Sequence, residues 1–511
     1  MRGYRLLLSF LVGLIFLFLL FLVGCSSTPA ANPSANNGSG VPVSLSMTDD
    51  PPDGVVVQFF QINLTDAYLT PASGSGNVSL LSNNTPIQID VTQLQALSAF
   101  LSTANVASGS YKSLTLTFAS PQLVIFNLSD QAIASKCPLH TVCQLTPQID
   151  NNTATLTFSS APFPVTVSQG TPLGFLLDFH LNNVIQSDLS VNLGVVNGVT
   201  IKELPSTPSL GPPLFGFLFG TVESVSTSQN QFVVQTRWGW TLTVDVNSST
   251  SYENFPISAC STASLSCLTK GDIVQVQVAS VQMDGTLLAA SVSYVQAASQ
   301  QVVRGDVIGL TTANGSTVMT LLLHWSPDAG TLPFGGVALV TVPSTATFSV
   351  DSGSFTIPSG LSFASASDLL VSQQVQVEVV AGTLSDPGGM GPWAPPSVSF
   401  TTSNVELEPS QITGDITGIN SNGTSFTLTT FPNFFAPWSN SNGFNSNWTA
   451  TQITIDTTSQ TTFQGLNPDS FAGLKLNALA SVQGWLFSTP SGATPSTQVA
   501  NTVLGRTNGY F

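Results

Sequence analysis

What this 511-residue sequence has least of is charge: only 7% of its residues are Asp, Glu, Lys or Arg, against 42% that are hydrophobic. The few charges are one-sided, 26 acids to 10 bases, for a formal net charge of -16. A surface of that sign repels phosphates, and no Lys/Arg cluster makes a local exception, so nucleic acid is not expected as a partner. Histidine occurs three times, as His140, His180 and His324, in three unlike contexts. No H-E-x-x-H, G-x-S-x-G or P-loop is present, so the chain is expected not to be an enzyme and to need no cofactor. A hydrolase with an unrecognised site is the weakest alternative, and a deep pocket gathering His180 or His324 with carboxylates would revive it. The densest acidic group, Asp49, Asp50 and Asp53, lacks the alternating spacing of a calcium loop and is interrupted by Pro51-Pro52. Turn chemistry accounts for it, and no metal site is expected. The polar residues that do abound, Ser, Thr, Asn and Gln, favour strands and turns over helices.

The one long hydrophobic run lies at the start. Arg2 and Arg5 precede Leu6 to Val23, which is almost without polar residues, and the run stops at Leu22-Val23-Gly24-Cys25. This is the layout of a signal peptide over 1–24. The last four residues resemble a lipobox, which implies diacylation of Cys25, cleavage before it and attachment to a membrane through the lipid. Ser26 after the cysteine goes with retention at the bacterial outer membrane. A membrane-spanning anchor is the rival reading, because 18 mostly apolar residues just reach spanning length. Residues 25–41 are too poor in large apolar groups to fold and read as a flexible tether.

Four cysteines remain, in two close pairs: Cys137 with Cys143, and Cys260 with Cys267. In an oxidising compartment this spacing suggests two local disulfides. Metal ligation is the alternative, but neither pair has C-x-x-C spacing and only His140 lies near either. Each bridge would close a loop of about seven residues, stabilising by about 2 kcal/mol, and so staples a loop rather than founding the fold.

The expected fold is all-β. Over 42–201 short runs alternate with period two, as in Val43-Ser44-Leu45-Ser46-Met47, Val55 to Leu64, Leu114 to Phe118 and Ala154 to Phe158, implying sheets with one buried face. One stretch breaks the pattern. Val91, Leu94, Leu97 and Leu101 stand at helical spacing after a capping box of Asp90 and Gln93, predicting a short helix over Asp90 to Thr103. Met47-Thr48-Asp49-Asp50-Pro51-Pro52, Ile89-Asp90-Val91, Ala107-Ser108-Gly109-Ser110-Tyr111 and Leu177-Asp178-Phe179-His180 resemble the domain-of-unknown-function family 4382 over roughly 160 residues. That resemblance, with its small-Gly-x-Tyr step, implies an immunoglobulin-like or transthyretin-like β-sandwich and no particular reaction.

A Pro-rich linker is expected over 202–215, and a weak repeat follows it. Gly220-Thr221-Val222, Gly305-Asp306-Val307 and Gly414-Asp415-Ile416 each open a strand, and the step after it ends at Tyr252, Phe348 or Phe463. Lys270 to Val276 then matches Gln374 to Val379 and, more loosely, Ala480 to Gly484. Three small domains, 216–298, 302–407 and 411–511, are expected from this period. They resemble the domain-of-unknown-function family 5666, most clearly in the first copy with Gly271-Asp272 and the turn Asp284-Gly285-Thr286-Leu287. The resemblance implies small barrel-like β units, which would hide strand edges in a chain with few charges to guard them.

All seven Trp residues lie beyond residue 230. Trp238, Trp240, Trp325, Trp438 and Trp448 fall between the second and third strand patterns of a repeat, at expected hairpin tips. There they would present flat apolar faces to a sugar or a partner protein; the alternative is that they pack barrel ends or domain against domain. The expected function is a non-enzymatic cell-envelope lipoprotein serving as a surface binding, adhesion or scaffold array. A carbohydrate-binding protein using the tip aromatics is the main alternative. Its expected partners are the membrane, through the lipid, and an envelope polysaccharide or protein.

Overall fold

A computed structural model describes residues 40–506 apart from 51–55, 82–84, 95–97, 127–141, 150–151, 187–188, 205–215, 256–259, 261, 298–300, 314, 327–331, 333, 386–397, 431–450 and 489–495. The fold is all-β. Among the described residues no helix is long and apolar enough to cross a membrane.

The first domain is a sandwich of two sheets. In one, Val41–Asp50 runs parallel to Leu173–His180 and antiparallel to Ala99–Val106, and Val199–Leu204 pairs on the far side of Leu173–His180. The other is built on two long strands, Val56–Pro71 and Gly109–Phe126, flanked by five shorter ones. Their inward side chains, among them Met47, Phe60, Phe118 and Phe179, form one buried core. The small-Gly-x-Tyr step has a physical reason: the Tyr111 hydroxyl donates to the Ala107 carbonyl at 2.8 Å, tying the strand to the turn before it.

Two segments depart from the expected pattern. The helix over Asp90 to Thr103 is a single 3-10 turn, Val91–Leu94, followed by the strand Ala99–Val106. Edge pairing with Val41–Asp50 decides the outcome; Asp90 still caps the short turn, its Oδ1 accepting from the Thr92 N–H at 3.2 Å, but Gln93 turns its side chain to Gln374 and does not complete a capping box. Lys202, Glu203 and Leu204 are not linker. They complete a strand, whose Leu204 is buried in the core of the next domain.

Each of the next three domains has five main strands. In the first barrel these are Phe217–Ser226, Gln231–Thr236, Thr241–Asp245, Ile273–Val281 and Leu287–Gln296. The first pairs with the second and fourth, and the third and fifth close the cycle in parallel at Val244↔Leu287 and Asp245↔Leu288. The second barrel closes the same way through Ala338↔Val398 to Thr341↔Thr401, and the third through Thr454↔Thr497 to Asp456↔Val499. This order, 1-2-3-5-4 returning to 1, is a five-stranded Greek-key barrel of the OB type. The repeat extends to a short strand parallel to the fifth and a 3-10 turn before the fourth: Leu265–Cys267, Ala366–Asp368 and Phe471–Gly473.

The repeated glycines are not strand openers. Gly220 and Gly305 lie inside the first strand, where a Cβ would come within 2.1 Å of Val234 Cγ1 and 2.2 Å of the Leu322 carbonyl oxygen. A bulge follows in every copy, at Val222/Ser224, Val307/Gly309 and Ile416/Gly418. Glycine thus lets two strands approach where the barrel bends.

The domains do not stand apart as a projecting series; the described residues from 40 to 506 form one compact unit. The segment Gln88 to Gln93 of the sandwich touches all three barrels. Arg237 of the first barrel donates to the Gln88 carbonyl at 2.7 Å, and Asp90 meets His324 of the second at 2.6 Å. Gln374 of the second barrel donates to the Gln93 side chain, and Gln411 of the third to its carbonyl, both at 2.6 Å.

Candidate functional site

Around that segment the four domains enclose a cavity of about 890 Å³. The barrels reach it with equivalent parts, the outward faces of their first, fourth and fifth strands. Gly220 faces Val274 and Gly414 faces Ala480, so Gln277 and Gln483 hold the same place, three residues further along the fourth strand. Their fifth-strand partners are Ser291 and Thr502, and all four line the cavity.

Buried charge is concentrated in its walls. His324 is buried at the end of the strand Ser316–Trp325, with Nδ1 2.6 Å from Asp90 Oδ2 and Nε2 3.0 Å from Asp306 Oδ2. Burial is the largest influence on this ring and opposes its charge. The two carboxylates together outweigh it and hold the ring protonated, with its pKa raised to about 10. This gathers a histidine with carboxylates, the feature that would point to a hydrolase. Its chemistry differs, however: both nitrogens donate to fixed partners, and a group that titrates near 10 is a poor base at neutral pH.

Arg304 is the second hub. Its Nε donates to Gln376 at 2.7 Å, Nη1 to Gln275 of the first barrel at 3.2 Å, and Nη2 lies 3.2 Å from Glu408. Burial pushes the Glu408 carboxyl well above the carboxylate range against the pull of Arg304, and Asp351 and Glu406 push it further. Burial likewise raises Glu406, with Asp351 adding to it. Asp351 joins the domains as well: its side chain accepts from Asn254 of the first barrel and its carbonyl accepts from Trp485 Nε1 of the third at 2.7 Å.

The aromatics divide. Trp240, expected at an exposed tip, is only 2% exposed and belongs to the core of the sandwich, with Trp238 packed beside it. The tip is real, but it is pressed into the neighbouring domain, which is the domain-packing alternative. Arg237 stacks on Trp238 and on Phe334, 5.1 and 4.1 Å from the ring centres. Trp238 and half-buried Trp325 line the cavity, Trp325 lying 5.9 Å from Phe219. Trp438, Trp448, Cys25 and Cys137 lie outside the described residues, as do the side chains of Cys143, Asp49, Asp50 and Asp53. Cys260 and Cys267 are bridged, with their Cα atoms 5.7 Å apart. Among the described residues no group of three or more His, Cys, Asp and Glu is placed to hold a metal ion.

Sequence reasoning missed Asp90, Gln93, Arg304 and the role of His324. Arg304 carried a signal: it stands between Val303 and Gly305 at an outward strand position, where a buried cation requires another domain to cover it. Asp90 carried none, because a helix cap and an interdomain anchor look alike in one dimension.

No curated protein matches the chain. Two segments match sequence profiles of families, both described as domains of unknown function: DUF4382 over residues 41–194 and DUF5666 over residues 219–293. The DUF4382 match falls on the sandwich and the DUF5666 match on the first barrel, in the order their motifs imply.

Proposed function

We propose that this is a non-enzymatic lipoprotein of the bacterial cell envelope, anchored through Cys25, whose four domains act as one preorganised binding or scaffold body. The observation that carries the reading is the commitment of scarce charge to domain joints. His324, Arg304 and Arg237 each hold one domain to another, and in doing so they are withdrawn from proton transfer. The apolar leader ending at Leu22-Val23-Gly24-Cys25 supports the anchor, and the Ser-, Ala-, Pro- and Asn-rich composition of the residues after it supports a tether.

Intact-mass analysis of the protein from its native envelope tests the anchor. The mature chain should begin at Cys25 and carry acyl mass, and Cys25→Ser should remain unprocessed or leave the membrane. An unmodified N-terminus on the wild-type mature protein would overturn the reading.

A further inference from the structure

The ligand class is legible in the cavity wall, on the reading that the four-domain body binds something. Nine glutamines line it. A glutamine amide donates through nitrogen and accepts through oxygen, the pair of functions that adjacent hydroxyl groups on a ring require. Several of these amides are already oriented by the fold: Gln93 by Gln374, and Gln275 by Arg304. Others are uncommitted, since the side chains of Gln464 and Gln483, both half-buried, make no hydrogen bond among the described residues.

The buried charges in the wall are held by partners. Four acidic and four basic side chains line the cavity. His324 is paired with Asp90, and Arg304 with Glu408. Glu253 accepts from Ser251 and Ser293. The buried charges of the wall thus already have polar partners, which lowers the reward for desolvating an ionic ligand there. The indole of Trp325, half-buried against Phe219, supplies an apolar face of the kind that stacks on the C–H side of a sugar ring. The volume of about 890 Å³ suits a ligand of several rings, and exposed Lys202 and Arg237 among the lining residues mark where the cavity meets solvent.

We propose that this interdomain cavity binds a neutral oligosaccharide, held by glutamine amides from the sandwich and the barrels and stacked on Trp325. The full-length protein in detergent should be screened on a glycan array containing neutral and anionic glycans, and hits measured by calorimetry. At least one neutral glycan should bind saturably, one per chain. The double variant Gln464→Ala/Gln483→Ala should weaken it at least tenfold at unchanged melting temperature, and Trp325→Ala should weaken it as much while lowering the melting temperature, because it empties a half-buried site packed against Phe219. No neutral glycan bound by the folded protein, preference for anionic glycans, or binding indifferent to the glutamine variant would each overturn the proposal. Acylation of Cys25 would be untouched by any of these results, so failure of the ligand class is distinguishable from failure of the lipoprotein reading.

Discussion

His324 is where a single side chain most affects the behaviour of the molecule. Its pKa is raised from an ordinary 6.5 to about 10, so the native state holds a proton that the unfolded chain releases above pH 6.5. Stability from this group is fully present below pH 6.5 and is lost as pH rises through 10. Glu406 and Glu408, also raised, act in the same direction from the carboxylate range upward. The melting temperature should therefore fall as the medium is made alkaline. His324→Gln should be less stable at pH 6 by about 3–5 kcal/mol, the usual penalty for stranding a buried charge, and the gap to wild type should close toward pH 10. Thermal unfolding of both proteins across that range decides the matter; a gap that is constant with pH would mean the ring is not held as a cation.

At the scale of elements, alternation was legible and its exceptions were not. Gln231–Thr236 buries every second residue, and the period-two patterns around Leu114 and Ala154 became strands for the same reason. The stretch after Asp90 failed because Val91 and Leu94 are buried in both a helix and a 3-10 turn, and only pairing with Val41–Asp50 separates the alternatives. The repeat was readable from its Gly-Asp and Val-Gln-Val phrases, although the glycine's reason was not a turn. Gly305→Ala would place a Cβ 2.2 Å from the Leu322 carbonyl and should destabilise by about 1–3 kcal/mol or more, as overpacking does. Gly315, at φ +76° with nothing within 4 Å, has only its backbone conformation to lose, and Gly315→Ala should cost about 1–2 kcal/mol. Chemical denaturation of the two variants should rank them in that order, and the reverse order would mean that the first strand can move away from the second.

Across the whole molecule, domain-internal sequence patterns say little about how domains meet. The joints use ordinary residues in unremarked places: the Gln88 and Gln93 carbonyls, a glutamine on each of two barrels, and Trp240, whose tip position suggested exposure until a neighbouring core covered it. What could be read in advance was the scarcity of charge, which makes each buried ion a sign of a contact. These contacts make one body of four domains. Differential scanning calorimetry of the full-length protein tests this most directly. One dominant transition is expected, with calorimetric and van't Hoff enthalpies that agree, and it should separate into several when Asp90→Ala and Arg304→Ala are combined. Several independent transitions in the wild-type protein, unchanged by that double substitution, would contradict it.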